Sequence, residues 1–78
     1  MKIVYSKQAI KFLKKQDKPT QQRIVDAISK IPHGDISKLQ GRNGFRLRIG
    51  TFRVIFNEDG TIIDIISINN RGQVYKRR

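Results

Sequence analysis

Apolar residues recur every three or four positions in the first part of the chain and every second position after residue 44. A recurrence of three or four predicts amphipathic helices, whereas strict alternation predicts strands with one buried face. The segment GFRLRIGTFRVIF, residues 44–56, alternates most regularly. The pattern therefore predicts helices first and a sheet from Phe45 onward.

Two helices are predicted between residues 6 and 31. Ser6 is suited to cap the first helix. Residues 17–19 (DKP) end this helix and begin the second, because proline suits a first helical turn. The helices are expected to form a hairpin that ends in a loop at residues 32–35. Its inward-facing residues are expected to be Ala9, Ile10, Phe12, Leu13, Ile24, Ala27, Ile28 and Ile31.

Strands are predicted at both ends of the chain. Lys2–Tyr5 (KIVY) is β-branched and aromatic, which favours a first strand. Residues 45–49 and 52–56 should form a hairpin that turns at Gly50-Thr51, where glycine supplies a positive φ. Residues 61–68 are apolar on both faces apart from Asp64, which suits an interior strand. Loops are expected at 41–44 and 69–72, and a short last strand at 73–75.

These elements predict an α+β fold. An N-terminal strand and a helical hairpin should pack on one face of a small, mainly antiparallel sheet, whose meander would contain three strands. A chain of 78 residues is expected to form a single domain, residues 1–78.

The predicted hairpin brings three arginines together. With a two-residue turn at 50–51, Arg48 lies opposite Arg53, and Arg46 projects from the same face, which the helices leave free. Directly opposed like charges destabilise a sheet by up to about 1 kcal/mol per pair. All three cations are arginine, whose fork binds phosphate oxygens in pairs.

Two interpretations of this face stay open from the residues alone. Long cations can lie along a solvated surface with their charged ends in water, or they can bind a phosphate. Asp64 is expected on the same face, because the even-numbered residues of its strand should share the side of Arg53. One carboxylate can orient Arg53 but cannot neutralise three cations.

The charge of the chain favours an anionic partner. Seventeen Lys and Arg against six Asp and Glu give a formal net charge of +11, which favours binding to nucleic acid, anionic lipid or an acidic protein. The absence of cysteine excludes disulfides and cysteine-based zinc sites. No membrane-spanning run or signal peptide is recognisable, so we expect a cytoplasmic protein. No cofactor is expected.

Further candidates lie outside the hairpin. Arg71 and Tyr75 follow the last long strand, and a tyrosine near a cationic surface can stack a nucleobase or cap a small core. Lys38, Arg42 and Lys76 are candidate contacts for an RNA backbone.

The remaining titratable residues indicate no metal site. His33 is expected in a turn away from the arginines. Asp35 and Asp59 are also expected in turns, which aspartate favours, so they should not form a metal cluster with Asp64.

The order of these segments resembles the RelE family of bacterial and archaeal toxins, within the RelE/ParE superfamily. The similarity covers essentially the whole chain, and its most specific parts are RLRIGTFRVIF and NRGQVYK. The resemblance implies the toxin of a type II toxin–antitoxin pair, which enters the ribosomal A site and cleaves mRNA. It also implies a cognate antitoxin that is acidic or has an acidic toxin-binding segment.

The resemblance assigns roles to individual residues. Arg46 and Arg48 match the basic residues that contact and activate the scissile phosphate, although the best-known members have lysine at both positions. Arg53 matches the arginine that stabilises the charged intermediate. Arg71 matches the proposed leaving-group acid, and Tyr75 matches the tyrosine that stacks on the cleaved nucleotide.

The implied reaction is metal-independent attack of an RNA 2′-hydroxyl on the adjacent phosphate. Arginine is effectively always protonated, so Arg46 and Arg48 are poor general bases, and no Glu or His is expected on their face. We therefore expect weak cleavage of RNA without ribosomes. Two alternatives stay open: a ParE-like inhibitor of DNA gyrase without nuclease activity, and a basic RNA-binding module without catalysis.

Overall fold

The computed structural model describes residues 2–70. It contains two helices and five strands in one sheet. In chain order these are β1 (Lys2–Tyr5), α1 (Lys7–Lys14), α2 (Lys18–Ser29), β2 (Asp35–Lys38), β3 (Phe45–Ile49), β4 (Phe52–Asp59) and β5 (Ile62–Asn70).

The helices begin where the sequence predicts. The Ser6 hydroxyl accepts a hydrogen bond from the Ala9 amide at 3.1 Å, and the Asp17 carboxylate accepts one from the Thr20 amide at 2.9 Å. Hydrogen bonds from the Thr20 side chain and from the Thr20 amide hold the pKa of the Asp17 carboxyl below its ordinary value, because they stabilise the charged form. Both caps satisfy amides that the first helical turn leaves without partners.

The five strands run in the order β1-β5-β4-β3-β2. β1 pairs with β5 in parallel, and the other three pairings are antiparallel. This arrangement confirms the predicted fold class and the interior position of β5. The predicted short strand at 73–75 lies outside the described residues.

Three boundaries in the sheet differ from the prediction, the first being that β4 continues to Asp59, which was expected in a turn. Residues 35–38 form the edge strand β2 rather than the end of a loop, so the meander has four strands. A four-residue edge strand with one apolar side chain, Ile36, has too little alternation to be recognised. Asn69 and Asn70 extend β5, where they pair with Arg53 and Phe52. Strand pairing here overrides the weak strand preference of asparagine.

Side chains from α1 and α2 cover one face of the sheet. Ile24 and Ile28 from α2 and Val54 and Ile68 from the sheet are fully buried, and Ala9 from α1 joins them. Ala27, Ile31, Phe12 and Leu13 pack around this core as predicted.

Ile10 differs from the prediction, because its side chain is 42% exposed. It borders a mainly apolar cleft of about 300 Å³ between the two helices, together with Tyr5, Leu13 and Val25. Helix α1 has only eight residues, and its buried stripe is too narrow to include Ile10.

Side-chain contacts from α1 support β5 where β1 ends. The Gln8 side chain donates to the Ile68 carbonyl and accepts from the Ile68 amide, both at 2.9 Å. The Ser6 hydroxyl donates to the Ile66 carbonyl at 2.7 Å. These bonds satisfy backbone groups of β5 beyond the last β1 pair, Tyr5 with Ile65.

An irregularity in β5 separates its buried and exposed apolar residues. Ile55 pairs with Ser67 and Phe56 with Ile65, so Ile66 is an extra residue in the ladder. Ile66 is 45% exposed, whereas Ile68 is fully buried. The described helices cover only one face of β5, and the apolar residues on its other face contact solvent.

We predict that Ile68→Val lowers the free energy of unfolding by about 0.5–1.5 kcal/mol, because it removes a methyl group from the core. Ile66→Val, two residues away in the same strand, should change it by less than about 0.5 kcal/mol. Urea denaturation monitored by circular dichroism measures both. Equal losses would contradict the one-sided packing of the sheet.

Candidate functional site

The β3–β4 hairpin has the predicted register. Ile49 pairs with Phe52 and Arg48 with Arg53, and residues 50–51 form the turn. Gly50 has a φ of 60°, a value that residues with a Cβ adopt at a cost. The turn therefore fixes two guanidinium side chains directly opposite each other.

Arg46, Arg48 and Arg53 form a surface that we call the arginine face. Leu47 and Val54, the neighbours of these arginines along the strands, are buried under the helices, so the arginines project from the opposite side of the sheet. Arg46 pairs with Ile55 and lies diagonal to Arg53, a relation that separates side chains by about 7–8 Å. The structure thus brings the three predicted residues together.

Two of these arginines are held firmly against the sheet. The Nε atoms of Arg46 and Arg53 are buried and have no hydrogen-bond partner among residues 2–70. A buried donor without a partner costs about 1–3 kcal/mol, and the opposed charges of Arg48 and Arg53 add repulsion. The packing of the hairpin maintains this surface against both costs.

Asp35 is the carboxylate nearest to Arg48, which the sequence did not indicate. β2 pairs Asp35 with Arg48, and the Asp35 Oδ2 atom lies 3.8 Å from the Arg48 Nε atom. Both side chains are about half exposed or more, and exposed pairs contribute only about 0–1 kcal/mol. The expectation of Asp35 in a turn is wrong, because the edge strand was not recognised.

Asp64 shares the open face but lies away from Arg53. It pairs with Asn57, whereas Arg53 pairs with Asn69. The extra residue Ile66 changes the alternation of β5, so beyond it the odd-numbered residues share the side of Arg53. The prediction that even-numbered residues do so along the whole strand is therefore wrong. Within the described chain, the arginine face has one partial counterion, Asp35.

The other predicted contacts do not join the arginine face. Lys38 pairs with Phe45, which packs against the core, so Lys38 lies on the helix side of the sheet. Arg42 is exposed in the loop before β3. Three predicted residues lie outside the described part of the chain: Arg71, Tyr75 and Lys76.

A cleft of about 430 Å³ lies beside the arginine face, between α2 and the end of β3. Arg48 borders the cleft and belongs to the arginine face as well. A Cβ atom on Gly50 would lie 2.8 Å from a terminal nitrogen of Arg23, so the Arg23 guanidinium reaches the hairpin turn. The lining residues are Arg23, Asp26, Ala27, Lys30, His33, Gly34, Asp35, Leu47, Arg48 and Ile49.

The cleft contains residues that sequence reasoning missed or placed elsewhere. Arg23 is exposed on α2 and Lys30 is exposed at the C-cap of this helix, where the sequence pattern does not distinguish them from solvated cations. His33 was expected away from the arginines, but it lines the cleft that Arg48 borders. Only the packing of α2 on the sheet brings these residues together.

Burial of Tyr5 raises the pKa of its phenol above the ordinary value, because burial disfavours the phenolate.

No group of three or more His, Cys, Asp and Glu suited to a metal ion occurs in residues 2–70. No helix in this part of the chain is long and apolar enough to cross a membrane.

Comparison with known proteins yields a family and a set of similar folds. Residues 3–75 match the family described as the ParE toxin of type II toxin–antitoxin system, parDE. A search of the curated proteins gives no significant match.

Several similar solved structures are complexes of RelE toxins with RelB antitoxins. The RelE–RelB complex of Pyrococcus horikoshii gives 27% identity and a TM-score of 0.72, over 92% of this chain and 96% of that chain. The RelB–RelE complex of Methanococcus jannaschii gives 24% identity and a TM-score of 0.74, over 92% of this chain and 94% of that chain. The Mycobacterium tuberculosis RelBE2 complex gives 20% identity and 0.76, over 90% of both chains.

We predict that Arg53→Met stabilises the isolated protein by about 1 kcal/mol at low salt. The substitution keeps an apolar stem and removes both the buried Nε donor and the repulsion with Arg48. The repulsion is screened by salt, so the gain should shrink in 1 M NaCl.

The matched control is Arg42→Met in the exposed loop, which should change the free energy of unfolding by less than about 0.5 kcal/mol. Urea titrations at both salt concentrations measure the two variants. A destabilising Arg53→Met would mean that the arginine face is already neutralised within the chain.

Proposed function

Because the chain belongs to the ParE toxin family of type II toxin–antitoxin systems, we propose that it is a toxin that cleaves mRNA in the ribosomal A site. The arginine face is the observation that carries this proposal. Three guanidinium groups lie on adjacent strands. Among the described residues, their positive charge is offset only by the Asp35 carboxylate, which lies 3.8 Å from Arg48. A phosphodiester supplies the missing negative charge, and arginine binds its oxygens in pairs.

The proposed reaction is an intramolecular transesterification of RNA. The 2′-oxygen forms a bond to the adjacent phosphorus, and the bond from phosphorus to the 5′-oxygen breaks. The products are a 2′,3′-cyclic phosphate and a 5′-hydroxyl. The 2′-hydroxyl loses one proton, and the leaving 5′-oxygen gains one.

The arginine face would act mainly by electrostatics. The phosphorane carries more negative charge than the starting phosphate, so fixed cations bind it more strongly than they bind the substrate. We assign this stabilisation to Arg53, supported by Arg46 and Arg48. The buried Nε atoms of Arg46 and Arg53 indicate that these side chains are oriented before RNA arrives.

The residues of this chain account for only part of the proton transfer that the reaction needs. Arginine does not supply an ordinary base at neutral pH. The resemblance assigns leaving-group protonation to Arg71 and base stacking to Tyr75, and we retain both assignments as proposals. Positioning of the mRNA by the ribosome would supply alignment for the attack, which accounts for the weak cleavage that we expect on free RNA.

The family match favours a second candidate, inhibition of DNA gyrase. That activity requires neither a cleaved bond nor the arginine face. It therefore predicts that substitutions at Arg53, Arg71 or Tyr75 leave toxicity intact. The internal like-charge pair of Arg48 and Arg53 supports the nuclease, because it has no evident use in a protein that only binds gyrase.

We also propose a cognate antitoxin as the regulatory partner. The net charge of +11 fits an antitoxin segment rich in Asp and Glu. Such a segment would place carboxylates on the arginine face and exclude mRNA. The solved structures named above are complexes of a toxin with its antitoxin, which supports an antitoxin partner for this chain.

The decisive experiment maps mRNA ends in a translating extract that contains purified protein. We expect cuts in frame with ribosomal A sites, ending in 2′,3′-cyclic phosphate and 5′-hydroxyl groups. Arg53→Met should slow cleavage by about 10²–10³-fold, because it removes a donor to the phosphorane. Lys11→Met at an exposed position of α1 serves as the control for loss of one positive charge.

Each outcome distinguishes the candidate functions. Intact mRNA together with blocked DNA supercoiling by gyrase would replace the nuclease with the gyrase inhibitor. Blocked translation with uncut mRNA would indicate RNA binding without catalysis. Equal cleavage by the Arg53→Met and wild-type proteins would remove the arginine face from the mechanism.

A further inference from the structure

The cleft between α2 and the end of β3 has the composition of a nucleotide site. Its floor includes Ala27, Leu47 and Ile49, of which the last two are at most 8% exposed. Charged side chains surround this apolar floor. A volume of about 430 Å³ lies within the range of small-molecule sites, which combine an apolar surface with a few polar groups.

Two cations line this cleft, one within α2 and one at its C-cap. These cations are Arg23 and Lys30. Neither forms an ion pair within residues 2–70, whereas Arg48 pairs with Asp35. They are seven residues apart, which corresponds to about 10.5 Å along a helix. They are therefore placed to contact an extended polyanion rather than a single point charge.

The carboxylates of the cleft are already engaged in part. Asp26 accepts a hydrogen bond from the Gln22 side chain at 2.9 Å, and Asp35 contacts Arg48. Their remaining oxygens can accept hydrogen bonds from ribose hydroxyl or base amino groups. His33 adds an aromatic ring, a type of side chain on which bases stack.

The cleft is continuous with the arginine face. Arg48 belongs to both, and the Arg23 guanidinium packs against Gly50 in the turn that joins Arg48 to Arg53. A single RNA strand that places one phosphate on the arginine face can therefore continue around this corner of the sheet.

We propose that the cleft binds a nucleotide of the RNA strand next to the cleaved bond, and this inference rests on the proposed nuclease function. The base lies on the apolar floor, and Arg23 and Lys30 contact the flanking phosphates. These two residues act in binding and positioning, and they make no contact with the reacting atoms.

The test uses the full chain and two fluorescent RNA probes with 2′-O-methyl groups, which block cleavage. A dinucleotide covers the arginine face alone, and a pentanucleotide also reaches the cleft. Fluorescence anisotropy at several salt concentrations measures both affinities. The cleft variant is Arg23→Gln with Lys30→Gln, and the control is Lys11→Gln with Lys15→Gln at the first helix, which removes the same charge from exposed positions.

The cleft variant should bind the pentanucleotide at least about fivefold more weakly than the control variant does. The logarithmic slope of its affinity against salt concentration should decrease in magnitude by about 0.7 for each phosphate that the variant no longer neutralises. The dinucleotide affinities of the two variants should agree. In NMR spectra of the wild type, the Ala27 methyl and the His33 ring should shift with the pentanucleotide and not with the dinucleotide.

Equal pentanucleotide affinities for the cleft and control variants, or unchanged Ala27 and His33 signals, would overturn the inference. The proposed function is tested separately with Arg53→Met. If that variant loses dinucleotide binding while the cleft variant behaves like the control, RNA binding by the arginine face is supported and the proposal for the cleft is overturned. If Arg53→Met binds both probes like the wild type, the proposals for the arginine face and for the cleft are both overturned.

Discussion

The packing of α2 against the sheet is the constraint on which the arginine face depends. Ile24 and Ile28 are fully buried against strand residues such as Leu47 and Val54. Because side chains alternate across a strand, burying one face of the β3–β4 hairpin forces the intervening arginines onto the other. The hydrophobic core thus holds in place three cations that would separate if the hairpin were free.

The hairpin and the helices were predictable because each depends on a local pattern. Strict alternation and the glycine at position 50 determined which arginines share a face, and Ser6 and the DKP segment determined where the helices begin. The edge strand β2 was not predictable, since its four residues contain one apolar side chain and acquire their conformation by pairing with β3. The irregularity at Ile66 also depends on pairing, so the position of Asp64 relative to Arg53 could not be read from parity alone.

The candidate site was predictable only where it lies on a single hairpin. Arg46, Arg48 and Arg53 are close in the chain, and their register follows from one turn. Arg23 lies in α2 and Lys30 at its C-cap, so their approach to Arg48 depends on how the helix crosses the sheet. The same dependence explains why His33 was expected elsewhere, although it lines the same cleft as Arg48.

The parallel pairing of β1 with β5 determines when the fold can be completed during synthesis. Lys2 pairs with Ile62 and Tyr5 with Ile65, so these partners are separated by 60 positions in the chain. Contacts across such separations form late, because a long loop must close before they contribute stability. A nascent chain whose β5 is still in the exit tunnel therefore lacks an interior strand of its sheet, and the described fold is completed only after residues 62–70 have left the ribosome.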